Sequence, residues 1–312
     1  MLKNSHIKFT LLTACKNEEK DINLAIESAL AQTYQNKEII FIDDSTDRTK
    51  EIIRGYKNQG IILIDGFGKG CCQARNLGIQ RATGDVIVFL TADTKLEPDY
   101  LEKILPYYEK GYDWVAVESF SFNLETIYSR FVQFEHLRGA YKSNYNPLTT
   151  QGYSVRRDAA LAVGMISGGD YPVNFCRDWS LGKKLLEKGY KRIINRSIIV
   201  PHKSPDNFQE YWRVQKTRGL MSAYQPFFLF NRSVSYLFFK FIVKSILEFF
   251  RFVFIFPAIW HTGNLARYSK RPILDFFPLY YAYFMHILAR CVGEWQGWLF
   301  IINKLKQEKK II

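Results

Sequence analysis

The first hundred residues alternate short apolar runs with polar loops and stretches of helical spacing. The run Val86–Leu90 is too short for a helix and rich in β-branched and aromatic residues, so it predicts a buried strand. Similar runs at 9–15, 38–42 and 61–64 predict three further strands. Strands that alternate with helices indicate a Rossmann-like α/β fold, a mostly parallel sheet with helices on both faces. The loops after the strands then gather at the edge where open α/β sheets bind ligands.

Polar side chains follow each of these strands where the strand ends. Glu18 and Asp44 come shortly after the first two strands. Lys69 lies in a glycine-rich loop after the third strand, and Asp93 follows the fourth. A carboxylate at such an edge suits a divalent cation that carries phosphate oxygens, although an Asp there is equally common as a turn residue or helix cap. Together these residues predict a polar site of nucleotide size.

Seven short segments occur in an order that carries further information. They are Thr13-Ala14-Cys15-Lys16-Asn17-Glu18, Asp43-Asp44-Ser45-Thr46-Asp47, Ala74-Arg75-Asn76, Thr91-Ala92-Asp93, Arg177-Asp178, Val200-Pro201-His202 and Gln215-Lys216-Thr217-Arg218-Gly219. Their order and spacing resemble those of the family 2 glycosyltransferases, which have the GT-A nucleotide-sugar fold. The resemblance implies a GT-A domain over residues 1–220. It also implies an inverting transfer by a single in-line displacement, with no covalent sugar intermediate.

The resemblance assigns roles to the residues on the donor side. Thr13 belongs to the first matching segment, and Glu18 and Asp44 would hold the ribose and base of the donor nucleotide. Carboxylates suit this task because charge-assisted hydrogen bonds are the stronger class. Lys69 and Arg75 would lie near the diphosphate. The alternatives are that Asp44 is a turn residue and that Arg75 is a charge on a helix surface.

Thr91-Ala92-Asp93 stands where the family has Asp-x-Asp, so the first carboxylate is missing. The three residues would still contact the donor, and Asp93 matches the Asp that is the more direct metal ligand. His202 resembles a His that completes the metal site in part of the family, and a His ligand suits Mn²⁺ better than Mg²⁺. A structural role for His202 stays open. The substitution at Thr91 leaves the strength of metal binding open as well.

Arg177-Asp178 stands where the family has Glu-Asp on the acceptor side. Asp178 would be the general base that takes the proton of an acceptor hydroxyl, and Arg177 would hold it ionised. The alternative is that Asp178 caps the helix that follows. The segment 151–157 resembles the acceptor-side strand. Arg218 would bind the leaving diphosphate or be a helix surface charge, and Gly219 replaces the Trp of a Gln-x-x-Arg-Trp motif.

The last 92 residues differ from the rest in charge and apolar content. Residues 221–312 contain twelve Lys and Arg against four Asp and Glu, and so carry most of the formal net charge of +13. Their two apolar stretches, 234–260 and 273–302, each contain a charged stripe. On a helix the four charges of the first stretch fall within roughly 80° of one another, which is typical of helices that lie in a membrane interface. Spanning helices, or helices packed on the catalytic domain, are the alternatives.

The N-terminal residues and the cysteines bear on the compartment. The first six residues are polar, so we expect no signal peptide. Five cysteines without metal-like spacing predict free thiols in a reducing compartment. The Lys-rich end, 304–310, suits anionic lipid on the cytoplasmic leaflet. These features predict a protein bound to the cytoplasmic face of the cell membrane.

Together the residues and the resemblance predict a metal-dependent, membrane-bound inverting glycosyltransferase. It would use Mn²⁺ or Mg²⁺ and pass a sugar from a nucleotide-sugar to a lipid-linked or membrane-presented acceptor, in assembly of cell-envelope glycans. A nucleic-acid partner is not expected, because the basic tail is rich in aromatic and aliphatic residues. A homo-oligomer formed through the C-terminal helices stays open. The alternatives are a polymerising polysaccharide synthase and a catalytically weak membrane scaffold.

Overall fold

The computed structural model groups the chain into two compact units. It describes residues 6–140, 151–167, 178–229, 231–253 and 255–311. The first unit consists of the described residues within Met1–Phe120 and Asn146–Lys203. The second consists of those within Ser121–Tyr145 and Ser204–Ile312. These unit boundaries reflect packing alone. The boundary between the two functional regions, expected near residue 220, stays a prediction.

In the described part of the chain, seven strands form one mixed sheet. They are β1 Phe9–Cys15, β2 Lys37–Asp43, β3 Ile61–Asp65, β4 Val86–Leu90, β5 Trp114–Ser121, β6 Ser154–Arg156 and β7 Arg192–His202. The strand order is β3-β2-β1-β4-β6-β5-β7. β1 pairs in parallel with β2 and β4, β2 pairs in parallel with β3, and β6 runs antiparallel to β4 and β5. The mostly parallel α/β sheet and its four predicted strands are confirmed.

Helices of the first unit cover both faces of this sheet. In chain order the helices are α1 Ile22–Leu30, α2 Thr49–Gly55, α3 Cys71–Arg81, α4 Tyr100–Glu109, α5 Ile127–Ala140, α6 Arg157–Ala162, α7 Asp178–Glu187, α8 Phe208–Tyr224, α9 Val234–Val253, α10 Phe256–Ala266 and α11 Pro272–Ile311. Neighbouring β1 residues point to opposite faces. Leu11 packs with α1 and α4 in one apolar cluster, whereas Leu12 packs with α3, α6 and α7 in the other. Because both faces are buried, the strands appear in the sequence as continuous apolar runs.

The second unit consists of α5 and the helices α8 to α11. The apolar stretch 234–260 is divided between α9 and α10, and α10 begins at Phe256 with Pro257 in its first turn. Proline is favoured there because its missing N–H would have no partner in the helix. Among the described cysteines none forms a disulfide, and Cys176 lies outside the described residues.

The helices α8 and α11 approach each other closely through glycines. A Cβ atom on Gly219 would collide with the backbone oxygen of Arg290, and one on Gly293 would collide with that of Lys216. The position after Arg218 therefore has no room for the Trp that the resemblance leads one to expect. The departure from the motif has a packing cause.

None of the described helices combines sufficient length with sufficient apolarity to span a membrane.

Candidate active site

Hydrogen bonds join the loops that follow β1 and β2. The backbone N–H of Asn17 donates to Ser45 Oγ at 2.8 Å, and Asn17 Oδ1 accepts from the N–H of Thr46 at 2.8 Å. The N–H of Glu18 donates to Thr49 Oγ1 at 2.8 Å. Asn17 has a φ of 58°, a left-handed conformation that Asn tolerates better than most residues. The loop is therefore fixed from both sides, and Glu18 is half-buried at the end of β1.

Asp44 connects the loop after β2 to the loop after β3. Its Oδ1 accepts a hydrogen bond from the N–H of Gly68 at 2.7 Å. A Cβ on Gly66 would collide with the Asp44 carboxylate, so this loop needs a glycine there. Lys69 lies in the same loop and is exposed. On β1, Thr13 is buried, and its hydroxyl has no hydrogen-bond partner among the described residues.

Thr91 and Ala92 follow β4, and Thr91 is held by its neighbours. Its hydroxyl is 2.6 Å from that of Thr94 and donates to Gln151 Oε1 at 3.1 Å. Ala92 is buried. The Thr91 hydroxyl is thus engaged within the protein. Gln151 begins the segment predicted to line the acceptor side, and its bond places that segment beside the end of β4.

Backbone pairing brings Asp93 and His202 close together. The N–H of Lys203 donates to the Asp93 carbonyl at 2.9 Å, and Thr94 forms an antiparallel bridge with His202. His202 Nδ1 lies 2.9 Å from Ser119 Oγ, which fixes the orientation of the ring. The Oδ1 atom of Asp93 is buried and has no hydrogen-bond partner in the described part of the chain. Such an oxygen suits a cation, because a buried charge without a partner is costly.

The protein ligands available for a metal ion are few. Across the described ranges, no group of three or more His, Cys, Asp and Glu side chains is arranged to hold a metal ion. Asp93 and His202 supply one carboxylate and one imidazole. A cation bound there would need oxygen atoms from a substrate or from water, and Mg²⁺ in particular usually keeps such ligands.

The carboxylate of Asp178 forms an ion pair with the guanidinium of Arg75. Arg75 lies on α3 and only 5% of its side chain is exposed, whereas 25% of that of Asp178 is exposed. The Arg75 guanidinium also lies over the ring of Phe89, 5.9 Å from its centre. Asp178 is the first residue of α7, where a carboxylate also interacts favourably with the helix dipole. Arg177, expected to act beside Asp178, lies outside the described residues, and Arg75 supplies a positive charge there.

Asn76, next to Arg75, has a role that the sequence did not reveal. Its Nδ2 donates to the carbonyl of Ile166 at 2.9 Å, and its Oδ1 accepts from the N–H of Ile166 at 3.0 Å. The N–H of Ser167 donates to Ser180 Oγ on α7 at 2.9 Å. The Ala-Arg-Asn segment of α3 therefore has two positioning contacts. Asn76 holds the chain at Ile166, near α7, and Arg75 holds Asp178. The sequence signal for Asn76 was the motif itself, whereas Ser119 gave no signal because its partner His202 is distant in the sequence.

Arg218 is the remaining residue predicted to contact the donor. It lies on α8 in the second unit. Its proposed contact with a leaving diphosphate stays a prediction.

The sequence of the chain is similar to those of known proteins. Residues 10–162 match the family model described as glycosyl transferase family 2. Over 86 residues, 27% of the chain, it is 43% identical to UDP-Glc:alpha-D-GlcNAc-diphosphoundecaprenol beta-1,3-glucosyltransferase WfaP of Escherichia coli. Over 102 residues, 32% of the chain, it is 39% identical to poly-beta-1,6-N-acetyl-D-glucosamine synthase of Staphylococcus aureus. The matches span 34% and 24% of those proteins' own lengths.

Solved structures share the fold at low sequence identity. The mannosyltransferase PcManGT from Pyrobaculum calidifontis, in complex with GDP-Man and Mn²⁺, has a TM-score of 0.57 at 16% identity, over 96% of this chain and 76% of that one. TarS 1–349 of Staphylococcus aureus has a TM-score of 0.54 at 14% identity, over 92% of this chain and 90% of that one. TarS has also been solved with UDP-GlcNAc. These similarities establish a GT-A fold.

Proposed function

Because residues 10–162 form a glycosyltransferase family 2 domain with a GT-A fold, we propose that this chain is an inverting glycosyltransferase. It moves a sugar from a nucleotide-sugar donor to a lipid-linked or otherwise membrane-presented acceptor. One observation carries the proposal. Glu18, Asp44 and Asp93 follow three neighbouring parallel strands at the edge of the sheet where such folds bind ligands.

The loops after β1 and β2 hold the nucleotide in this proposal. Glu18 and Asp44 accept hydrogen bonds from the ribose and base, and the bonds that fix both loops make the site preorganised. Thr13 contributes a buried hydroxyl beside them. Lys69 is exposed on a glycine-rich loop, where its long side chain can reach a diphosphate. The fold neighbours solved with UDP-GlcNAc and GDP-Man support a nucleotide-sugar donor.

Asp93 and His202 would hold a divalent cation together with oxygen atoms of the donor. The unpaired buried Oδ1 of Asp93 fits such an ion, and the imidazole favours Mn²⁺ over Mg²⁺. When bound, the cation would stabilise negative charge on the departing nucleoside diphosphate. The backbone pairing between the segments of Asp93 and His202 keeps both side chains near the end of β4.

Asp178 is the general base in this proposal. It removes the proton of an acceptor hydroxyl while the oxygen forms a bond to the anomeric carbon and the bond from that carbon to the phosphate oxygen breaks. The proton passes to Asp178, and the nucleoside diphosphate leaves with the bonding electrons. Arg75, itself buried, holds the carboxylate in one position through their ion pair. An acceptor that is a phosphate would be ionised already and would not need this base.

The second unit supports a membrane-presented acceptor. Large apolar side chains of α9, α10 and α11 are exposed: Phe239, Phe249, Phe256, Trp260, Ile273 and Phe277. These exposed apolar side chains suit an interaction surface, and the basic excess of residues 221–312 suits anionic lipid. The similarity to WfaP, whose name includes a diphosphoundecaprenol acceptor, supports a lipid-linked acceptor. We place the chain at the cytoplasmic face of the cell membrane, and self-association through these helices belongs to the same proposal.

A catalytically weak scaffold is the second candidate, favoured by Thr91 in place of a carboxylate. A transfer assay with the full chain decides between the two. UDP-glucose, UDP-GlcNAc and GDP-mannose are supplied with Mn²⁺ and prenyl-diphosphate-linked sugars, and product and released nucleotide are measured. We expect transfer that disappears in Asp93→Ala and persists in Asp99→Asn, a matched change of an exposed pair with Lys103. Absence of both transfer and donor hydrolysis would favour the scaffold, and elongated products would favour a polymerising synthase.

A further inference from the structure

The second unit contains an open cavity of about 840 Å³. Its walls come from α5, α9, α10 and α11, so it lies within one compact unit. Six charged side chains line it: Glu135, Arg138, Lys244, Glu248, Arg251 and Arg290. A cavity of this size can hold a small ligand, and its charges restrict which ligand.

Three of the four cations in this lining have a carboxylate partner. The pairs are Arg138–Glu135, Arg251–Glu248 and Lys244–Glu294. Arg290 forms no ion pair with any described residue, and its buried Nε has no hydrogen-bond partner among them. A partly buried guanidinium without a counter-charge is unfavourable, so Arg290 is the side chain of this lining at which a bound anion would be most stabilising.

His286 lies one helical turn before Arg290 on α11. Its Nδ1 is buried and has no hydrogen-bond partner in the described part of the chain. Burial, together with the positive charge of Arg290, lowers the pKa of His286 to about 3, so the ring is neutral at physiological pH. A neutral imidazole can give one hydrogen bond to an anion that Arg290 attracts. The two unpaired polar groups therefore form a small anion-binding surface.

The carboxylates of the cavity are engaged within its wall. Glu135 accepts from Arg138 at 2.8 Å and lies 2.7 Å from His261 Nε2. Burial alone would raise the pKa of Glu135, but the bonds to His261 and Arg138 lower it to about 2. The ring of His261 stacks on that of Tyr283 at 4.0 Å. These contacts bind the negative charge of Glu135 to the wall and leave the charge of Arg290 for a ligand.

An apolar groove of about 540 Å³ adjoins the cavity along α9. Phe239, Val243 and Leu247 line the groove, and each is more than half exposed. The groove shares Lys244, Glu248 and Arg251 with the cavity. The polar cavity and the mostly apolar groove therefore adjoin along α9.

We propose that the cavity binds the phosphate or diphosphate head of a lipid, with Arg290 as the anchor and the hydrocarbon chain in the α9 groove. An inorganic anion would leave the groove exposed, and a purely apolar ligand would leave Arg290 unpaired. A phosphorylated lipid satisfies both surfaces at once. This inference deepens the proposed function, on which it rests for the role of a lipid in the reaction.

Equilibrium binding of farnesyl diphosphate to the detergent-purified full chain tests the site. Pyrophosphate and farnesol serve as the head alone and the chain alone. We expect farnesyl diphosphate to bind at least about tenfold more tightly than either, because each fragment leaves one surface unused. Pyrophosphate binding as tightly would make this a free-phosphate site and overturn the proposal. Farnesol binding as tightly would overturn it as well.

Two variants distinguish binding in this cavity from nonspecific attraction of an anionic lipid to positive charge on the protein. Arg290→Gln should weaken farnesyl diphosphate binding about tenfold, as expected for loss of a charge-assisted hydrogen bond. Arg267→Gln, which removes an exposed charge just after α10 and outside the cavity lining, should leave binding unchanged. Equal losses in the two variants would refute the proposal.

A groove variant keeps the test valid if Arg290→Gln does not fold. Phe239 is 66% exposed, so Phe239→Ser should leave the fold intact. It should weaken binding of farnesyl diphosphate and leave that of pyrophosphate unchanged, whereas no effect on either would contradict the proposal. Binding of UDP to the same samples shows whether it is the lipid site or the proposed transferase activity that has failed its test. Retained sugar transfer without lipid binding refutes only this site, and lipid binding without nucleotide binding refutes only the transferase.

Discussion

The two units of the chain hold their polar groups in different ways. At the sheet edge of the first unit, loops are joined by many hydrogen bonds, and the residues lie in segments that match a family model. In the second unit, helices α8 to α11 lie outside the matched residues, and Arg290 in their cavity has no ion-pair partner among the residues that the structure describes. The first arrangement is preorganised by short-range turn chemistry. In our proposal a ligand completes the second arrangement, and only the three-dimensional structure shows that Arg290 would need one.

The largest expected effect belongs to the first unit. Asp178→Asn should lower the rate of transfer to a hydroxyl acceptor by roughly 10²–10⁴-fold, the range for loss of a general base. Nucleotide binding should change little, since the proposed contacts to the nucleotide lie elsewhere. Steady-state transfer rates and the donor Kd measure the two effects separately. Unchanged turnover in Asp178→Asn would exclude a required base at this position and favour a phosphate acceptor.

The next effect tests the close packing in the second unit. Gly219→Ala should destabilise the fold by about 1–3 kcal/mol, because its Cβ would collide with the backbone of α11. Gly263→Ala is the matched control, since nothing lies within 4 Å of a Cβ at that helical position. That change should stabilise the fold by about 0.5–1 kcal/mol. Thermal unfolding of both variants measures the contrast, and a shift in the same direction for the two would contradict this packing.

A further effect in the second unit appears only as the pH is changed. The pKa of His286 is lowered in the folded state by burial and by Arg290, with Arg218 and His261 adding to it and Glu135 opposing it. Below the unfolded pKa of about 6.5, the unfolded chain binds a proton that the folded chain resists. The free energy of unfolding should therefore fall as pH drops from about 6.5 towards 3, by up to about 1.4 kcal/mol per pH unit.

His286→Gln checks this assignment. The variant should lose part of the pH dependence between about 6.5 and 3, because it lacks the group whose pKa changes on folding. Urea unfolding at several pH values gives the slope. His6→Gln is the control, as His6 is exposed near the start of the described chain. An unchanged slope in His286→Gln would show that the buried ring does not contribute.

The sequence was sufficient for the first four strands and for the positions of the polar residues that follow them. Buried parallel strands appear as continuous apolar runs, so β1 to β4 could be found without partners. Glu18, Asp44 and Asp93 then had to lie after three of these strands. Their roles toward a donor stay predictions. Features that depend on a single strand or loop can be predicted from the local sequence pattern.

Contacts between distant segments could not be read in this way. The ion pair between Arg75 and Asp178 was not foreseen, and the expected place of Arg75 near a diphosphate stays a prediction. The bond between Glu135 and His261 joins residues 126 positions apart. No periodicity encodes such a pair. The missing Trp after Arg218 looked like a weakened motif, whereas Gly219 is required by the close approach of α11.

Calorimetric titration of the full chain with UDP, GDP and dTDP, with and without Mn²⁺, tests the central claim most directly. The account predicts that one nucleotide binds tightly in the presence of Mn²⁺ and that Asp44→Asn weakens it at least about tenfold, while Asp99→Asn does not. Absence of binding by all three nucleotides under both conditions would contradict a donor site at the ends of β1, β2 and β4.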